Sequence, residues 1–225
     1  MVLIGQKVPQ QGEAFMYGVT PRQVSLWDRI NAAKLTYYYA DNAYAPAPDG
    51  TELFRITRNA RQVTSLGPGD PDRRDRYMPA IQPWRQDGRD VLVCVQSEHH
   101  HKLFKPSRKM WLDKVLSALA ASTDRPIVVR DKPLRNPDMP PFEEALKTAW
   151  AVVCHSSRVA NEAILAGVPA FVTAPCAALP VAGTDLTKIE DPHRPDGREE
   201  WAAWLAANQW TVPEIVSGRA YAELQ

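Results

Sequence analysis

Ala151-Val152-Val153-Cys154-His155-Ser156-Ser157-Arg158-Val159-Ala160-Asn161-Glu162-Ala163-Ile164-Leu165-Ala166-Gly167-Val168-Pro169-Ala170-Phe171 is the stretch on which the fold turns. Its first four residues are a continuous apolar run of strand length, the pattern of a strand covered on both faces. His155-Ser156-Ser157 follows at once. Arg158 to Ala166 then reads as a helix stopped by Gly167, and Val168 to Thr173 as the next strand. In a parallel sheet built this way, ligands gather beyond the C-terminal ends of the strands, where loops run into helix N-termini. Ser156 and Ser157 can cap the helix. Its first N–H groups, their hydroxyls and the positive end of the helix dipole together make an anion site whose natural occupant is a phosphate. Glu162, one turn deeper, is the only carboxylate of the helix and can accept hydrogen bonds from a ribose diol. A plainer reading stays open, in which a serine merely caps and the acid merely faces water. His155 is either a neutral donor to the phosphate or a buried, satisfied histidine.

Outward from this stretch the alternation continues. Val91 to Val95 is another continuous apolar run, Lys109 to Ala121 an amphipathic helix, Pro126 to Arg130 a strand and Phe142 to Thr148 a short helix. Arg198 to Ala207 and Val212 to Gly218 close the chain as helices. Strands alternating with helices predict a parallel sheet with helices on both sides. Gln96-Ser97 and the following His99-His100-His101 run stand at the end of the first of these strands, in a loop able to touch a ligand. Adjacent histidines do not converge on one centre, so no metal site is expected there. Arg130 and Lys132 end the second strand and can neutralise a diphosphate.

The first half is cut into short segments by proline clusters. Phe15 to Thr20 reads as a strand ending in a turn, with Thr20 as N-cap, Pro21 at the first helical position and a helix to about Ala33. Leu35 to Tyr39 is a second strand ending at Asp41-Asn42, and Glu52 to Gln62 a third. Gly18 lets a phosphate or sugar approach the backbone, or makes a turn. Asp41 stands where a general base can face a ligand, or is only a turn residue. Gly67 to Arg89 is polar and proline-rich with little regular structure expected, and marks the boundary between a lobe of residues 1–89 and one of residues 90–225.

Composition sets the outer bounds. Lysine plus arginine (27) nearly cancels aspartate plus glutamate (26), so no global field draws the chain to nucleic acid or an anionic membrane. Locally, eight arginines and four aspartates between Arg55 and Arg89 form a basic strip able to steer a polyanion, unless the arginines pair with the nearby acids. No apolar run approaches the roughly 20 residues of a membrane span. Cys94, Cys154 and Cys176 are odd in number and sit in or beside apolar runs, as reduced core thiols of a cytoplasmic protein do.

The run from His155 to Phe171 resembles the donor-binding segment of glycosyltransferases of the two-lobed GT-B architecture. In that group a strand ends in a small or hydroxyl residue near the donor phosphates, a Glu on the next helix holds the ribose, and Gly-Val-Pro turns into the following strand. The resemblance implies an α/β, GT-B-like fold: a Rossmann-like parallel-sheet C-terminal lobe and a smaller α/β N-terminal lobe. It implies a nucleotide-sugar as donor substrate, no further cofactor and no metal, with Gly18, Gln96, Ser97, Arg130, Lys132, His155, Ser156, Ser157 and Glu162 around the donor and Asp41 as base. The short chain and its Trp210-Thr211-Val212-Pro213 ending look like bacteriophage proteins, some of which glycosylate modified DNA bases, which would make DNA the acceptor. A non-catalytic nucleotide- or polyanion-binding protein of the same fold is the other expectation.

Overall fold

The structure, a computed structural model, describes residues 12–18, 21–103, 106–131 and 138–225. Thr20 and Lys132 lie outside the described residues. In chain order the elements are β1 (Glu13–Tyr17), α1 (Pro21–Ala32), β2 (Thr36–Asn42), β3 (Leu53–Arg58), α2 (Pro71–Tyr77), β4 (Asp90–Cys94), α3 (Glu98–Leu103), α4 (Arg108–Ala120), β5 (Ile127–Arg130), α5 (Phe142–Leu146), β6 (Ala149–Cys154), α6 (Val159–Leu165), β7 (Ala170–Val172), a 3-10 turn (Leu186–Lys188), α7 (Arg198–Ala207), β8 (Gln209–Thr211), α8 (Val212–Val216) and α9 (Arg219–Glu223). They form two units, one of Met1–Val63, Gly67–Met78 and Ala203–Gln225, the other of Thr64–Leu66 and Pro79–Ala202. Among the described residues no helix is long and apolar enough to cross a membrane.

The second unit is built on a sheet of order β5-β4-β6-β7 with every pair parallel. β4 and β6 are buried along their whole length, as their continuous apolar sequence requires. Val91, Val93, Val95, Ala151, Val153 and Phe171 pack with Trp111, Val115 and Leu119 of α4. Leu92, Cys94, Val152 and Cys154 alternate to the opposite face. α6 packs on β6 and β7 and ends where Gly167 takes φ +78°, the left-handed conformation that terminates helices. Burial pushes the Cys94 thiol up to about 12 and the Cys154 thiol well above its ordinary value, so both stay protonated.

The first unit carries a mixed sheet of order β1-β2-β3-β8, with β1 and β2 parallel and the other pairs antiparallel. Alternation again splits the side chains between two faces: Ala14, Met16, Tyr37 and Tyr39 pack with Ile30 and Trp27 of α1, while Tyr38, Ala40, Ile56 and Trp210 pack with Ala220 and Ile215.

Several sequence expectations need correction. The stretch Gly67 to Arg89 contains α2, begun by Asp70, whose side chain accepts from the Arg73 amide, with Pro71 in the first turn. The histidine run is helical, not a loop, because Ser97 Oγ accepts from the His100 amide at 3.2 Å and starts α3. Asp41 and Asn42 belong to β2 and pair with Arg55 and Phe54. The boundary expected at residue 89 does not keep the rest of the chain together: β8 hydrogen-bonds to β3, which returns residues 203–225 to the first unit.

Candidate functional site

The strand order decides where ligand chemistry can sit in the second unit. From β4 the chain crosses to β5 on one side, then returns past β4 to β6 and on to β7 on the other side. The direction of winding reverses between β4 and β6, and the crevice beyond the C-terminal ends of two such strands is where doubly wound sheets bind ligands. The connections that leave these two strands carry Gln96, Ser97 and, at the start of α3, His100 on one side and His155 to Arg158 on the other.

Side chains tie the two loops together. Gln96 Oε1 accepts from the Ser156 amide at 2.9 Å, and Gln96 Nε2 lies 3.2 Å from His100 Nδ1. His100 Nε2 lies 3.1 Å from His155 Nδ1 and 3.3 Å from Ser156 Oγ, and Ser156 Oγ is 3.3 Å from His155 Nδ1. His100, His155 and Ser156 are all buried. The rings of His101 and Trp111 pack edge-on to His155, and the Trp111 N–H donates to Thr173 Oγ1 at 2.8 Å. His101 donates from Nδ1 to the Pro106 carbonyl at 3.0 Å. Burial nevertheless pulls its pKa below the ordinary histidine value, against the lift from that carbonyl and Glu98, so His101 is a neutral imidazole near pH 7.

This network reassigns several of the expected residues. Ser156 was expected to offer amide and hydroxyl to a phosphate, but Gln96 takes the amide and the hydroxyl lies between two imidazoles. Gln96 and Ser97 serve the fold through Ser156 and the His100 amide. The residue at the N-cap of α6 is Arg158, at φ −54° and ψ −29° with no side-chain cap bond, whereas Ser157 Oγ stands 3.5 Å from the Val159 amide. Among the described residues the amides of Ser157 and Arg158 have no acceptor. Two backbone donors at the switch point are the part of the expected phosphate cradle that remains open.

The other expected residues are distributed as follows. Glu162 accepts from Arg158 Nε at 2.6 Å through Oε1, an ion pair within its own helix, and Oε2 lies outside that bond. Arg130 ends β5, donates to the Pro140 carbonyl at 2.7 Å and lies over the Phe142 ring. Gly18 takes φ +65° with open space where a Cβ would stand, and its amide donates to the Ala40 carbonyl. Asp41 is held by Arg55 Nη2 at 2.8 Å and by the Tyr39 hydroxyl at 2.9 Å, and burial and the Asp41 charge push the Tyr39 pKa far up. A cavity of about 610 Å³ lined by Phe171, Lys188, Asp191, His193 and Arg194 includes none of the expected site residues. Among the described residues no group of three His, Cys, Asp or Glu could hold a metal ion.

Six of the eight arginines expected to form a basic strip are engaged by acids or a carbonyl, and Arg76 lies over the Tyr77 ring. Arg55 pairs with Asp41, Arg73 with Glu214, Arg74 with Asp75, Arg85 with Asp87 and Arg89 with Asp90, while Arg58 donates to the Gln225 carbonyl. The pairing alternative describes them better than a free polycationic face does.

Sequence reasoning missed His100 and the Arg158 amide. A signal for His100 was present, since Ser97 as N-cap and Glu98 in the first turn mark a helix start. The Arg158 amide carries no side-chain signature at all.

No family model and no curated protein matches this chain. Among solved structures it is similar to the Thermosulfurimonas dismutans protein KpsC, beta Kdo 2,4 transferase, with a TM-score of 0.49 and 11% identity over 91% of this chain and 85% of that chain. It is similar also to the same organism's KpsC, beta Kdo 2,7 transferase, with a TM-score of 0.47 and 13% identity over 94% of this chain and 85% of that one.

Proposed function

We propose that this chain is a glycosyltransferase of GT-B type that takes a nucleotide-sugar as donor and moves the sugar to an acceptor hydroxyl. The observation that carries the reading is the pair of amides, Ser157 and Arg158, that have no acceptor among the described residues and stand at the switch point of a doubly wound sheet. Backbone N–H groups fixed in position at such a crevice recognise phosphate oxygens. The resemblance of His155 to Phe171 to a donor-binding segment supports the same reading. In this mechanism the two amides, the Ser157 hydroxyl and the Arg130 guanidinium stabilise the negative charge that develops on the leaving nucleotide, which is where the catalysis lies. Glu162 turns Oε2 to the ribose hydroxyls. The acceptor is a hydroxyl of a glycan or of a modified base in DNA.

Arg158 offers a clean test, because its φ of −54° is one that proline adopts. Arg158→Pro deletes the amide N–H and the side chain together, while Arg158→Ala deletes the side chain alone. Calorimetry with UDP, GDP, ADP and their sugar conjugates is expected to give micromolar binding to at least one. Arg158→Pro then weakens it about tenfold or more, and Arg158→Ala by no more than about threefold. Equal loss in both variants, or no binding in the wild type, removes the reading. Release of free sugar from the bound conjugate, and transfer to glycan or hydroxymethylated DNA acceptors, reports turnover.

One observation favours the second reading, a non-catalytic nucleotide-binding protein of this fold. Asp41 is neutralised by Arg55 and receives the Tyr39 hydroxyl, which is the arrangement of a structural carboxylate more than of a base awaiting a proton. Binding without turnover on any acceptor decides for it.

A further inference from the structure

We propose that the cavity bordered by Phe171, Lys188, Asp191 and Arg194 binds a neutral saccharide and is a holding site for a glycan acceptor, separate from the donor site. Only the naming of that saccharide as acceptor rests on the glycosyltransferase reading.

The cavity lies within the second unit, at the other end of its strands from the switch point. Gly183 forms a parallel bridge with Phe171 of β7, and the chain then runs through the 3-10 turn Leu186–Lys188 to Arg194. Arg194 Nε donates to the Arg85 carbonyl at 3.1 Å, and the Arg85 amide donates to the carbonyl of Gly167, which precedes β7. The Arg194 guanidinium stands 5.1 Å from the ring centre of Trp150, the second residue of β6. The cavity therefore reaches the N-terminal ends of β6 and β7, whereas Ser157 and Arg158 follow the C-terminal end of β6. Its volume of about 610 Å³ falls within the roughly 300–1,000 Å³ of sites that take small molecules.

The lining selects the class of ligand. Lys188 and Arg194 bring positive charge to the cavity and Asp185 and Asp191 negative charge, yet among the described residues none of these four side chains is in an ion pair. Asp185 Oδ1 accepts from the Thr187 amide and hydroxyl at 3.0 and 2.7 Å, and Arg194 gives N–H groups to the Arg85 and Pro192 carbonyls. Burial lowers the Arg194 pKa and the Asp191 charge raises it, so the two groups feel each other without closing into contact. Lys188, Asp191 and His193 are exposed. With His193 neutral the two cations and two carboxylates cancel. An anion would meet the repulsion of Asp185 and Asp191, and a metal ion that of Lys188 and Arg194. An apolar ligand would strip water from charged groups and return nothing. A sugar hydroxyl both donates and accepts. Neighbouring hydroxyls of one sugar therefore donate to Asp191 and accept from Lys188 and Arg194, in bonds strengthened by the charge on the protein partner.

The whole chain, applied to an array of neutral, carboxylated and phosphorylated oligosaccharides, is expected to retain neutral ones. A retained oligosaccharide, titrated into ¹⁵N-labelled protein, is expected to shift the amides of Gly183, Thr184, Lys188 and His193. Asp191→Ala and Lys188→Ala, both at exposed positions, are each expected to weaken its binding about tenfold or more. Retention of charged oligosaccharides alone, of none, shifts confined to other residues, or two variants that bind as the wild type does, overturns the proposal. Nucleotide binding by calorimetry in the same preparation keeps the two readings apart. Oligosaccharide binding without nucleotide binding supports the saccharide site and removes its role as acceptor site, while nucleotide binding without oligosaccharide binding defeats the site alone. Where the retained oligosaccharide also receives sugar, Asp191→Ala is expected to raise its KM about tenfold with kcat within about twofold of wild type, and a fall in kcat alone counts against a holding role.

Discussion

Glu214 accepts from the Arg73 guanidinium at 2.5 and 3.1 Å and from the Thr211 amide and hydroxyl at 2.8 and 3.0 Å. Burial alone would raise its pKa, but these donors outweigh it and hold the carboxyl down at about 2, against an ordinary value of 4.5. A carboxylate depressed in the folded state stabilises fully above the unfolded pKa and loses that contribution as pH falls through the folded one. Glu214→Gln is therefore expected to cost about 2 kcal/mol at pH 7, with the gap to wild type closing between about pH 5 and pH 2. Urea denaturation across that range measures it, and a gap that stays constant with pH contradicts the assignment. Asp41 makes a second case at this scale. Arg55 is 7% exposed, and removing its carboxylate partner leaves a buried charge unpaired. Asp41→Ala is expected to lower stability by about 2 kcal/mol in chemical denaturation, whatever it does to turnover. Neither pairing was visible in the sequence, where Asp41 and Arg55 are 14 positions apart and Arg73 and Glu214 are 141 apart.

The turn from α6 into β7 shows which elements are legible in sequence and why. Gly167 was readable as a helix stop, and the fold adds a second constraint: a Cβ there would overlap the Pro83 carbonyl oxygen. Gly167→Ala is expected to cost about 2 kcal/mol or more, combining a left-handed φ with that overlap, and to lower the thermal midpoint accordingly. β4, β6 and β7 were legible because strands buried on both faces are written as unbroken apolar runs. α2 and α3 were not, since Pro71–Tyr77 and Glu98–Leu103 have little apolar periodicity to announce a helix. Their caps, Asp70 and Ser97, were the available signals. β8 offers three residues with no strand pattern of their own and exists because β3 offers it an edge.

For the molecule as a whole, the path of the C-terminus matters most. Gln209 is fully buried, its side chain accepts from the Tyr44 amide, and β8 completes the sheet of the first unit. Ending the chain at Ala207 is expected to expose the β3 edge, abolish the dispersed amide signals of β1, β2 and β3 and promote aggregation, while the β4-β5-β6-β7 signals persist in a two-dimensional ¹⁵N spectrum. If the signals of both units survive intact, β8 is dispensable.

The sequence by itself determined the parallel β4-β5-β6-β7 framework, because burial on two faces and helix punctuation are local patterns. Only the tertiary structure decided which donors stay open there. Hydrogen-bond supply is shared among residues far apart in the chain, so Gln96 and His100 consume the Ser156 groups and leave the Ser157 and Arg158 amides, a balance that no local pattern encodes.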